Sequence, residues 1–189
     1  AYAALLGDDS DGPSAAGQLA VAHLTQAVVE FWEFERPDPR WLRGRLCPIP
    51  KSKKDPRDIK KGLRPLTVLE TSLQVVLSII TRRLMSHYLN HCLESQGGFT
   101  PNMGTRDISF GVRMLLHRRK LAGLDTWACF FDLIKAYDSV DRDLLEILLL
   151  KFGVPPKLTR LIMALLRGLM VELRIGDARR AFAVFMGLA

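Results

Sequence analysis

Long apolar runs are missing from this chain. The apolar-rich stretches Val75–Ile80 and Leu144–Leu150 are short and bounded by polar residues, so no membrane span is expected. Cysteine is scarce. Cys47, Cys92 and Cys129 are scattered, odd in number and set among apolar neighbours, which excludes a disulfide framework. They read as reduced thiols of an intracellular protein, nuclear or cytoplasmic. A secretory signal is lacking, and the chain opens on Ala rather than Met, as expected of a sequence that starts inside a longer gene product. No internal repeat is found, which argues against a solenoid or propeller.

What is present suits a globular chain. At 189 residues, with 48% hydrophobic and 25% charged residues, the composition supports one domain with a real core, or part of a larger one. The net charge of +7 is unevenly spread. Between Arg36 and Arg64 eleven Lys or Arg stand against Asp38, Asp55 and Asp58, a local excess of +8, and the remainder nets −1. Such a stretch is the footprint of a polyanion-binding surface, or else a solvated basic loop without a ligand.

Residues 1–16, rich in Ala, Gly, Asp and Ser, are expected to be disordered. Val21, Leu24, Val28 and Phe31 recur at helical spacing, and Pro37 and Pro39 end that helix. Arg45–Lys51 reads as an extended edge segment carrying Pro48 and Pro50. A long amphipathic helix follows the basic loop, with a stripe of Leu69, Leu73, Val76, Leu77, Ile80, Leu84 and Tyr88. Thr67 and Glu70 stand at capping-box spacing at its start. Thr105–Leu121 reads as the next helix, with Asp107 and Arg118-Arg119-Lys120 suiting its dipole. Asp141–Phe152 and Pro156–Gly168 read as two more, joined by Gly153-Val154-Pro155. Val171, Leu173 and Ile175 then alternate before a turn at Gly176-Asp177, and Phe182–Phe185 pairs back as a hairpin. The fold class is α/β, in the α+β sense, helix-rich first with strands entering late.

The chemistry concentrates in Phe130-Phe131-Asp132-Leu133-Ile134-Lys135-Ala136-Tyr137-Asp138-Ser139-Val140. Trp127–Phe131 fits a short buried strand that delivers Asp132 at its end. A carboxylate on a rigid element there suits a divalent cation, which wants fixed oxygen ligands. The plainer reading is a turn or cap residue. His87 and His91, four apart beside Cys92, have a spacing open to zinc, but no second ligand pair accompanies them, so a solvated helix face is expected.

This stretch resembles the first palm motif of reverse transcriptases, above all those of non-LTR (LINE-type) retrotransposons. Other matches follow in the family's order. Leu46-Cys47-Pro48-Ile49-Pro50-Lys51 resembles its fingers strand, Gly62-Leu63-Arg64-Pro65-Leu66 its Arg-Pro motif, and Ser95-Gln96-Gly97-Gly98-Phe99 its Gln-Gly-Phe element. Thr105 with Asp107, Gly153-Val154-Pro155 and Met186-Gly187 continue the series, so the likeness covers roughly residues 40–187.

The resemblance implies a right-hand polymerase fragment, with a fingers-like region at 17–125 containing a basic loop at 36–64, and a partial palm at 126–189 with the start of an antiparallel sheet. It implies an RNA-directed DNA polymerase that adds deoxynucleotides to a primer 3′ end by two-metal phosphoryl transfer. Its partners would be an RNA template, a DNA primer and deoxynucleoside triphosphates, and its cofactor Mg2+ or Mn2+. Asp132 would be the catalytic metal ligand and Leu133 a backbone contact. Arg64 and Lys51 would hold the triphosphate, and Tyr137 would lie under the sugar and exclude a 2′-hydroxyl. Lys53, Lys54, Lys60 and Lys61 would track nucleic-acid backbone, and Gln96, Gly98 and Phe99 would form template-side surface. Thr100 and Leu63 depart from the family's usual Arg and Tyr.

The family's remaining catalytic acids lie in a downstream Tyr-x-Asp-Asp hairpin that these residues lack, so the chain is expected to be inactive alone. It is also expected to be ill-ordered or aggregation-prone near 170–189. Gly7-Asp8-Asp9 resembles such an acid pair but precedes the fingers segment. A group II intron-type reverse transcriptase and a non-catalytic RNA-binding remnant are the alternative readings.

Overall fold

The computed structural model describes residues 14–52, 55, 57, 58, 62–175, 177–184 and 187. Lys53, Lys54, Lys60, Lys61 and Met186 lie outside them, as does the Gly7-Asp8-Asp9 segment.

The first helix, α1 (Ala15–Phe34), starts where Ser14 turns its hydroxyl back to accept from the Gly17 N–H at 3.2 Å. Residues 14–16, expected to be disordered, are therefore a cap and the opening of a helix. Glu35 stops it in the left-handed conformation (φ 56°), and Pro37 follows. Strand β1 (Arg43–Pro50) pairs antiparallel with β2 (Leu63–Val68). The Lys51 N–H donates to the Gly62 carbonyl at 2.8 Å, which makes that pair a hydrogen-bonded site. Ladder sites alternate, so Pro48 and Pro65 face each other where neither needs a donor.

Helix α2 (Thr71–His91) is continuous, and Glu70 is its cap, accepting from the N–H groups of Ser72 and Leu73. Thr67, at capping-box spacing, belongs instead to β2 opposite Leu46. Helices α3 (Thr105–Leu121), α4 (Arg142–Lys151) and α5 (Pro156–Gly168) follow, with Gly153 (φ +75°) turning the chain between the last two. The hairpin β3 (Met170–Ile175) and β4 (Ala178–Ala183) closes the element order.

Strand β3 lies parallel to β1, giving a mixed sheet of order β2-β1-β3-β4 rather than a purely antiparallel one. The sheet thereby joins strands from both sides of residue 125, across a connection that contains four helices.

The core gathers Phe31 from α1, Trp41, the α2 residues Leu73, Val76 and Ile80, Val154, and Leu158, Leu161 and Leu165 from α5. Trp41 meets Phe31 edge to face at 5.7 Å and donates its indole N–H to Ser72 Oγ at 2.8 Å. Outside the core, α1 and α5 are tied by Arg160, which grips Glu35 side-on at 2.8 and 2.7 Å and holds that carboxyl below its ordinary range. Arg83 lies over the Trp32 ring at 4.1 Å. No helix among the described residues is long and apolar enough to cross a membrane.

Two expectations about apolar surface are revised. Trp127–Phe131 is not a strand, and its aromatics stand in solvent, with Trp127 96% and Phe131 92% exposed. A strand is stable only with a partner, and among the described residues nothing pairs with this segment. Helix α3 likewise buries none of its residues, although Ile108, Val112 and Leu115 form the expected stripe. Residues 170–175 and 178–183, by contrast, are paired into the sheet. A run of uncovered apolar side chains thus lies at 105–137, while Met170 and Phe182 of the hairpin are also exposed.

Candidate functional site

A cavity of ≈ 920 Å³ opens on the sheet. One wall is strand backbone and side chain from Leu46, Arg64-Pro65-Leu66-Thr67, Val171 and Phe182, and the other is the turn Lys135-Ala136-Tyr137-Asp138. Arg64 belongs to the edge strand. Its register opposite Ile49 puts it on the Arg45 face of the sheet, and it is also among the residues that line the cavity. Tyr137 is 59% exposed at the cavity rim.

Local geometry explains how the turn is held. Lys135 takes a left-handed conformation (φ 50°), the Ser139 N–H returns to the Lys135 carbonyl at 3.0 Å, and Ser139 Oγ donates to the Ala136 carbonyl. Gly187 then wedges against the turn, its N–H donating to the Val140 carbonyl at 2.9 Å. A Cβ on Gly187 would come within 2.8 Å of Asp138 Cα and 2.9 Å of the Tyr137 carbonyl, and its φ of +83° is one that L side chains rarely adopt. Gly187→Ala is therefore expected to push the Tyr137 turn off the sheet. The check is hydrogen exchange, which should quicken at residues 137–140 while the α2 and α5 amides keep their protection.

Sequence reasoning missed the residue that fastens this arrangement. Arg142, at the start of α4, is 5% exposed and donates from Nε to the Gly187 carbonyl at 3.0 Å. Its Nη1 donates to the carbonyls of Leu166 and Val184, while Nη2 has no partner among the described residues. Burial, and then the nearby positive Arg167, push its pKa below the usual arginine value. In the sequence Arg142 is one more charge in Asp-Arg-Asp at a helix start, with nothing to mark it as buried.

Of the residues expected at the site, the fold brings Arg64 and Tyr137 to one cavity. Asp132 and Leu133 lie just upstream of the turn, both exposed, and do not line it. Lys51 closes the β1–β2 hairpin through its backbone. Gln96, Gly98 and Phe99 form a compact turn beyond α2, where Gln96 Nε2 donates to the Gly98 carbonyl and the Tyr88 hydroxyl reaches the same oxygen. That turn is also away from the cavity lining. His91 stacks on Phe152 at 4.6 Å, a structural contact. Among the described residues no three His, Cys, Asp or Glu side chains gather as metal ligands. A two-ion centre needs several carboxylates, so the described donors do not by themselves fit a pair of divalent ions.

The site thus defined is an arginine-edged, aromatic-rimmed cleft over a mixed sheet. A family model described as reverse transcriptase (RNA-dependent DNA polymerase) matches residues 49–187, which takes in both walls of the cleft. The chain belongs to the reverse transcriptase family, whose members are RNA-directed DNA polymerases of the nucleotidyltransferase kind. A comparison with curated proteins gives no match.

Proposed function

We propose that this chain forms the fingers and the first part of the palm of a non-LTR (LINE-type) reverse transcriptase, and that its cleft receives a deoxynucleoside triphosphate. The observation that carries this reading is the convergence of Arg64 and Tyr137, distant in sequence, on one cavity within the matched segment. A guanidinium fork, as Arg64 carries, suits the triphosphate oxygens, bound by paired N–H donors. The Tyr137 ring suits the face of a sugar, where it would exclude an added 2′-hydroxyl. Of the motif's two carboxylates Asp132 is the one assigned to Mg2+ or Mn2+, with Asp138 held in the turn, and Lys51 at the hairpin end is a second phosphate contact. With one such acid in place, the 189 residues bind nucleotide but do not polymerise.

Equilibrium binding of dATP and ATP tests this in the presence of Mg2+. Arg64→Gln is expected to weaken dATP about 10- to 100-fold, the scale of charge-assisted hydrogen bonds. Tyr137→Ala is expected to leave dATP within a few-fold and to erase a preference for dATP over ATP of about 10²-fold, the limit for rejecting an extra hydroxyl by shape. Equal binding of dATP and ATP by the unaltered chain would count against the reading.

A further inference from the structure

Residues 126–133 have the composition of a strand and no strand to join. Among the described residues their backbone N–H and carbonyl groups make no backbone hydrogen bond, and Trp127, Phe130 and Phe131 are almost wholly exposed. The stretch is nonetheless anchored at its start to the last turn of α3. Arg119 donates from Nε to Thr126 Oγ1 at 2.8 Å and from Nη2 to the Asp125 carbonyl at 2.6 Å, and Gly123 (φ +67°) turns the chain between them. Helix α3 brings uncovered apolar residues of its own, Ile108, Val112 and Leu115 on one stripe, Phe110, Met114 and Leu121 on another. The three aromatics of the segment carry about 150–250 Å² each, and with the exposed Leu124, Leu133 and Ile134 they approach the ~800 Å² that a stable interface takes from each partner. A lone copy has no reason to leave so much apolar surface in water.

We infer that the missing strand is a second copy of the same one: two copies of this chain join through an antiparallel ribbon of residues 125–133, with the two-fold axis at Cys129. The inference goes beyond the nucleotide reading and does not rest on it. A two-fold contact must be self-complementary, and this segment is. Centred on Cys129, the ribbon sets Trp127 opposite Phe131 twice, Phe130 opposite Ala128, and Thr126 opposite Asp132. Aromatic residues thus meet across the strands, and no carboxylate meets another. Centring on Ala128 would instead set Asp125 against Phe131 and Asp132 against Leu124. Centring on Phe130 would call on Lys135, whose left-handed backbone (φ 50°) has already turned out of the strand. A ribbon of two strands is marginal in water unless a helix packs on it, and the α3 of each copy, leading directly into its strand, supplies that cover. Pairing uses the backbone of Asp132 and leaves its carboxylate projecting from the ribbon.

The test is sedimentation velocity of the 189-residue chain at up to about 100 μM, above the dissociation constants usual for an interface of this size. Oxidation by diamide is run in parallel on a Cys47→Ser/Cys92→Ser background, which leaves Cys129 as the single thiol. A dimer is expected, and diamide should link it through Cys129, the two thiols giving up two protons and two electrons to reduce the diazene to a hydrazine. Directly opposed residues of an antiparallel pair stand about 4.5–5.5 Å apart at Cα, within disulfide range. Moving the thiol one place on that background, by Cys129→Ser/Ala128→Cys, should end the cross-linking and keep the dimer, because residue 128 faces residue 130. Trp127→Asp/Phe131→Asp is expected to raise the dimer Kd about 100-fold or more, the scale for losing buried aromatic anchors. Its helical circular dichroism should not change, since both side chains are exposed in the single copy. A monomer throughout overturns the inference, as does a dimer that ignores the aspartate pair or an open series of larger assemblies. A dimer that the aspartate pair weakens but diamide does not link through Cys129 overturns the two-fold register.

Discussion

Trp41→Ala is expected to lower unfolding stability by about 3–5 kcal/mol, the range for emptying a large aromatic site in a packed core. The side chain is almost wholly buried, meets Phe31 edge to face, and sits between α1 and the start of α2. It also holds Ser72 Oγ, which in turn contacts the capping carboxylate of Glu70, so the substitution loosens a helix start as well as opening a void. Trp41→Phe should fall between, keeping most of the ring contact and losing one hydrogen bond worth about 1 kcal/mol. Urea unfolding followed by circular dichroism gives both values. A loss under about 1 kcal/mol for the alanine variant would mean that the helical core does not form around this indole.

Arg142→Gln is expected to cost about 3 kcal/mol and, unlike the first change, to weaken nucleotide binding in molecules that remain folded. Two effects oppose each other. Burying a guanidinium without a carboxylate partner is unfavourable, and removing it relieves that penalty. Its donors nevertheless satisfy carbonyls of Leu166, Val184 and Gly187, and a charged hydrogen bond contributes about 1.5–3 kcal/mol. Three such bonds outweigh the desolvation, and leaving the carbonyls buried adds to the loss. Gly187 would then be free to leave the Tyr137 turn, which couples this stability term to the cleft. Arg142→Lys keeps the charge but cannot reach all three oxygens, so it should recover only part of both properties. Unfolding free energy and dATP affinity, measured on the same three proteins, should fall in the same order.

Local pattern explains what the sequence made legible. Helix α3 begins and ends where Asp107 and the Arg118-Arg119-Lys120 run suggest, because capping and dipole effects act within a turn or two. The β3–β4 hairpin follows its alternation for the same reason. Spacing misled at α2, where Thr67 and Glu70 look like two halves of a capping box. The ladder with β1 claims Thr67, and Glu70 caps by itself. Trp127–Phe131 has the composition of a buried strand, but composition does not supply a neighbour, and the segment stands exposed. The parallel β1–β3 pairing joins distant segments, and no local signal announces it. Motif order singled out Arg64 and Tyr137, which both line one cavity, while Arg142 stayed hidden because its partners are backbone oxygens, which no side-chain pattern marks.

The central claim is that the cavity between β2 and the Lys135–Asp138 turn takes the nucleotide. Photo-cross-linking with an azido-dATP, followed by peptide mapping, tests it most directly. Label confined to peptides containing residues 63–68 and 135–138, and competed away by dATP, is the expected result. Label that settles on α1, α3 or the 96–100 turn, or that dATP fails to displace, would contradict it.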